Sequence, residues 1–143
     1  MYRTEYPEPQ FQREHWMNLN GAWQFTFDDQ DLGIKEGWYQ QHDFDKKIEV
    51  PFVYQTELSG IDDQSEHGIV WYQRHFTVKE AEDFATILHF GAVDFETDVW
   101  LDAQHIGTHV GGHTSFSFDI TDYISAGEDH VLTVRAKDLL LCQ

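Results

Sequence analysis

Between positions 105 and 116 the chain reads HIGTHVGGHTSF, which spaces His105, His109 and His113 four residues apart. On an α-helix imidazoles at that interval share one face, and three of them would offer nitrogen ligands to a zinc ion. The residues between them, Ile-Gly-Thr and Val-Gly-Gly, oppose a helix and suit a strand. Along a strand, positions four apart stand about 13 Å from one another, too far to share one tetrahedral ion. A bend at Gly111-Gly112 would be needed to return His113 to His109, and no metal site is expected. The other histidines, His15, His42, His67, His75, His89 and His130, follow no ligand spacing.

Other reaction chemistry is sparse. The chain has no G-x-S-x-G elbow and no P-loop. Its one cysteine, Cys142, is next to last, so no internal disulfide can form. The 26 acidic residues offer many carboxylate pairs, and their number alone selects none as a glycosidic acid and nucleophile. Aromatic rings give the stronger lead. Ring faces stack on the C–H faces of sugars while neighbouring polar groups bind hydroxyls, which makes Trp38-Tyr39, Tyr54-Gln55 and Trp71-Tyr72 candidates. Trp23, Trp71 and Trp100 alternate with their neighbours as core residues do, whereas Tyr54 falls in a polar, exposed stretch.

Elements able to position such groups follow from the patterning. With 143 residues, 41% hydrophobic and 15% aromatic, the chain is one domain's worth of sequence and can build a core. Nine Lys and Arg against 26 acids give a net charge of −17, which repels nucleic acid and anionic membranes, and neither is expected as a partner. No signal-peptide pattern or long apolar span occurs, so a soluble, cytoplasmic protein is expected. Period-2 alternation predicts strands at 22–27, 48–53, 70–78, 85–90, 97–101, 104–110, 115–120 and 131–136. Short helical turns are predicted at 43–47 and 121–124, with Asp43 and Thr121 as N-caps. Without room for helical crossovers the sheets should be mainly antiparallel. The expected fold is an all-β jelly-roll sandwich of about eight strands over residues 15–143, preceded by an extended arm at 1–14.

The order of these segments resembles the N-terminal sugar-binding domain of glycoside hydrolase family 2, the β-galactosidases, β-glucuronidases and β-mannosidases. Residues 18–25, NLNGAWQF, look like the family's opening strand. Val50-Pro51-Phe52 resembles a "VP" strand entry, and residues 70–74, VWYQR, followed by Phe76 resemble its "WYRR.F" strand. Residues 88–94, 99–102, 107–116 and 118–121 continue the likeness in one order, and His109 falls at a place where relatives carry a histidine not known as a metal ligand.

The resemblance implies a galactose-binding-domain-like jelly roll placed before an immunoglobulin-like domain and a (β/α)₈ barrel that carries both catalytic glutamates. It implies carbohydrate and those two domains as partners, no cofactor, and no catalytic residue within this chain. An aspartate after the last strand contacts sugar in β-galactosidase relatives, and Asp138 falls there in VRAKD. Where relatives use a polar residue after the "VP" strand this chain has Val53, which leaves Tyr54, Gln55 and Glu57 as substitutes on the adjoining loop. The leading expectation is a non-catalytic, substrate-positioning domain, β-galactosidase-like. An independent carbohydrate-binding module and a purely structural docking domain are the alternatives.

Overall fold

The computed structural model describes residues 19–40, 42–50, 68–78, 86–91, 96–111 and 115–137. Eight strands run through them: β1 (Gly21–Phe27), β2 (Lys46–Val50), β3 (Ile69–Thr77), β4 (Ile87–Phe90), β5 (Glu96–Leu101), β6 (Gln104–Val110), β7 (Phe116–Asp119) and β8 (Asp129–Lys137). Six form a sheet in the order β2-β1-β3-β8-β5-β6, and β4 and β7 form a second sheet. Every pairing is antiparallel.

Alternation decides what each face does. Trp23, Phe25, Val70, Val99, Leu101, Leu132 and Val134 project from the large sheet toward Leu88 and Phe118 of the small one, and this is the main core. The opposite face of the large sheet is also covered. Ile69, Trp71 and Trp100 lie there beneath Leu32, Trp38, Tyr39 and Phe44 from the β1–β2 connection. A sheet apolar on both faces explains why β3 opens with three consecutive buried residues, Ile69, Val70 and Trp71.

The residues that resemble family motifs hold the strand starts. Arg74 donates to the carbonyls of Leu19 (2.7 Å) and Asn20 (3.1 Å), and the Trp23 indole N–H also reaches the Leu19 carbonyl at 2.7 Å. Gly21 sits at φ +126°, a conformation that favours glycine, so the chain can turn into β1 there.

The helical turn expected at 43–47 is absent. Lys46 and Lys47 instead pair with Phe25 and Gln24, so the strand begins two residues earlier than its alternation suggests. The carboxylate before it, on Asp45, accepts from Thr26 Oγ1 at 2.9 Å. The expected turn at 121–124 forms as a 3₁₀ helix, Thr121–Tyr123, with the Asp119 carboxylate accepting the Thr121 N–H at 3.0 Å. One unexpected helical turn, α1 (Gly33–Glu36), follows β1 and closes at Gly37, φ +71°.

Between β5 and β6 only Asp102 and Ala103 make the turn, at φ +51° and +69°. Two left-handed residues give the two-residue hairpin that matches strand twist. Asp102 tolerates that conformation well, but Ala103 places a Cβ where glycine is preferred. Ala103→Gly should therefore raise stability by about 1 kcal/mol. A higher urea midpoint with an unchanged slope is the expected result of equilibrium unfolding.

Candidate functional site

The three-histidine series is broken by the fold of β6. Asp98 pairs with Thr108 and Val99 with Gly107, but Trp100 pairs with His105, so Ile106 is an extra residue, a β-bulge. Across the bulge the side-chain alternation reverses. His105 lies on the outer face, its Nε2 3.1 Å from Asp98 Oδ1, while His109 turns inward and stacks on Phe116 at 4.1 Å. Spacing on an unbroken strand would put both on one face; the bulge separates them, and His113 lies outside the described residues. Among the described residues no three His, Cys, Asp or Glu side chains gather closely enough to hold a metal ion.

The outer face carries a polar cluster at one end of the sheet. Arg135 on β8 is buried, and its guanidinium donates to Asp31 at 3.0 Å and more weakly to Asp98 at 3.5 Å. Asp98 Oδ1 also accepts from the Thr108 hydroxyl at 2.5 Å. Threonine, histidine and aspartate thus meet, but not as a nucleophile, base and orienter. The hydroxyl gives its hydrogen bond to the carboxylate, and its 3.4 Å contact with His105 Nε2 competes with the tighter Asp98 contact that the ring nitrogen already makes. Asp31 and Asp98 are both taken up by one guanidinium rather than flanking an open gap, so they do not form the separated acid and base of a glycosidase.

Beside this cluster stands an anchor made by Asp28. Its buried carboxylate accepts the N–H of Leu32 (2.7 Å), the N–H of Gly33 (2.9 Å) and the indole N–H of Trp71 (2.9 Å). Gly33 packs so closely on Trp71 that a Cβ there would come within 2.4 Å of the ring. Trp71 in turn stacks on Trp100 at 5.1 Å, and Trp100 on Tyr39 at 5.0 Å. Of the aromatic candidates, Trp71 is fully buried, Trp38 is buried against it, and Tyr39 and Tyr72 are half-buried. The first pair and the third therefore build the core and are not open sugar platforms.

Asp138, Tyr54, Gln55 and Glu57 all lie outside the described residues. The strands that lead to them are described. Lys137, the last residue of β8, pairs with both Ile69 and Glu96, in the middle of the sheet at the end where Arg135 and Asp28 sit. Gln24 pairs with both Lys47 and Gln73, which places Val50 about seven residues, or roughly 23 Å, along the strand direction from Ile69. Val50 and Ile69 therefore stand toward opposite ends of the sheet, with Ile69 beside Lys137. No pattern in the sequence marks Asp31, Arg135 or the bulge at Ile106, and the one local signal for Asp28 is the Leu-Gly that follows it four and five residues on.

The class of protein this architecture defines is the all-β jelly-roll sandwich, with a double-faced large sheet and one end reinforced by buried polar groups. The chain belongs to the family described as glycosyl hydrolases family 2, sugar binding domain, whose model matches residues 16–139. It is 29% identical over 133 residues to a β-glucuronidase of Felis catus, covering 85% of this chain and 20% of that protein. It is also 29% identical over 112 residues to a β-galactosidase of Thermoanaerobacter pseudethanolicus, covering 77% of this chain and 13% of that one. Among solved structures, the Lactobacillus rhamnosus β-glucuronidase superposes with a TM-score of 0.75 at 29% identity, over 84% of this chain and 20% of that one. The chain thus spans about a fifth or less of the length of these relatives.

Removing the Asp28 carboxylate leaves three donors without their acceptor, two on the backbone and one on a fully buried indole. Asp28→Ala should cost about 3 kcal/mol. Tryptophan fluorescence should shift to the red in the folded variant as the cover over Trp71 loosens, and denaturant titration checks the stability change.

Proposed function

We propose that this chain is a non-catalytic, substrate-positioning domain of a β-glycosidase of glycoside hydrolase family 2, acting beside an immunoglobulin-like domain and a catalytic barrel. The observation that carries the reading is the family match over residues 16–139, which reaches one residue past Asp138. The role assigned to Asp138 is supported by its origin: it follows a strand paired on both sides, whose outer face near its end is held by the buried Arg135. A sugar-contacting side chain gains from such a rigid base, because a displacement of about 1 Å can cost roughly a hundredfold in rate. Tyr54, Gln55 and Glu57 complete the proposed contacts.

The β-galactosidase-like activity expected from the sequence is one of two that the relatives' names support, β-glucuronidase being the other. We assign the parent enzyme to β-galactoside or β-glucuronide cleavage and the choice between them to residues of the barrel side of the site. Proton transfer belongs to the barrel carboxylates, and this domain supplies orientation and binding energy.

Two assays test the reading. The 143-residue chain should show no turnover of nitrophenyl β-galactoside or β-glucuronide; hydrolysis that disappears on changing a single carboxylate within it would falsify the assignment. In the parent enzyme, Asp138→Ala should lower kcat/KM by about tenfold to a hundredfold with folding retained. Unchanged kcat/KM would favour a docking role instead.

A further inference from the structure

His130 is buried at the start of β8, 3% exposed, at a junction of three elements. Its Nδ1 lies 2.6 Å from Asp102 Oδ2 in the β5–β6 turn. The same aspartate accepts the Val131 N–H through Oδ1 at 2.9 Å, and its own N–H donates to the Val131 carbonyl at 2.9 Å. On its other side, His130 Nε2 faces both backbone groups of one residue: the Ser125 N–H at 3.1 Å and the Ser125 carbonyl at 3.3 Å. A ring nitrogen cannot serve both at once. Unprotonated it accepts; protonated it donates.

We propose that His130 is a proton-operated clasp: neutral, its Nε2 accepts the Ser125 N–H, and on taking a proton from solvent it donates to the Ser125 carbonyl, keeping Asp102 throughout. Ser125 is exposed, so the N–H released in the protonated state turns to water without penalty of burial. The turn between β7 and β8 is thereby held to the β5–β6 hairpin by a different bond on each side of the titration.

The charged groups facing the ring are Asp102 from the hairpin and Glu128 from the turn that enters β8; β3 contributes the Phe76 ring at 5.8 Å, and the neighbouring His75 is engaged by Asp129 at 2.8 Å. Burial is the largest influence and disfavours the charged ring, but the hydrogen bonds to Asp102 and Ser125 and the two nearby carboxylates outweigh it and raise the pKa above the ordinary 6.5. A raised native pKa adds stability that is fully present below the unfolded value and is lost as pH rises through the folded one.

Asp102→Asn tests the clasp without emptying the core. Its Oδ1 must stay on the Val131 N–H, so its NH₂ faces Nδ1, which then accepts, and Nε2 carries the proton at every pH. Asparagine also tolerates the left-handed turn. NMR of the 143-residue chain from about pH 5 to about pH 9 should show the Ser125 amide and the His130 ring nitrogens moving with one midpoint above 6.5. In Asp102→Asn the Ser125 amide should hold its acid-side position across the range, and the acid-side gain in unfolding midpoint should vanish. A Ser125 amide indifferent to the ring's titration, or one that still follows it in Asp102→Asn, overturns the proposal.

Discussion

The carboxylate of Asp28 joins the two halves of this architecture. A β-strand that has just crossed the sheet ends there, and the next five residues must reverse over its outer face without leaving their backbone groups unpaired. Asp28 meets that constraint by accepting the Leu32 N–H at Oδ1 and the Gly33 N–H at Oδ2, and the same Oδ2 takes the indole of Trp71 on a different strand. One side chain therefore ties a local turn to a long-range contact. The glycine at 33 is required by the same arrangement, because the helical turn lies directly against the indole.

With the connection pinned, the outer face of the large sheet becomes a second core in place of a solvated surface. Trp71, Trp100 and Tyr39 stack in sequence across it, and Arg135 emerges beside them with its charge met by Asp31 from the connection and Asp98 from β5. The guanidinium is buried while Asp31 is largely exposed, and the cost of desolvating the arginine offsets much of the attraction. Its effect is to fix β8 between its neighbours at the end where the chain passes into Asp138. The central strand is thus held by hydrophobic packing on its inner side and by a guanidinium bridge on its outer side. That is a stiff platform for whatever follows it.

Much of this frame is legible from alternation alone. The strands at 22–27, 70–78, 97–101 and 104–110 are found within a residue or so of their expected limits, because runs rich in β-branched and aromatic residues are bounded there by turn-forming ones. Residues 43–47 mislead for a physical reason: Asp43 and the two lysines look like a capped helical turn, yet strand pairing with β1 outweighs so short a helix. The outer face was harder to read. Trp38 packs on Trp71 and Tyr39 stacks on Trp100, both distant in sequence, and Arg135 finds Asp31 across more than a hundred positions, so no local pattern announces these contacts. Residues 57 and 138 owe their candidacy to family likeness, residues 54 and 55 also to an aromatic ring beside a polar amide, and all four lie outside the described residues.

The extra residue at Ile106 carries a lesson about reading any motif from letter intervals. Before it and after it, odd and even positions exchange their meaning, so an imidazole series that seems continuous on the page is two unrelated fragments joined at a phase slip. One imidazole serves an ionic surface network and the next an aromatic interior. Evolution can consequently tune the two independently, as though they lay on separate strands.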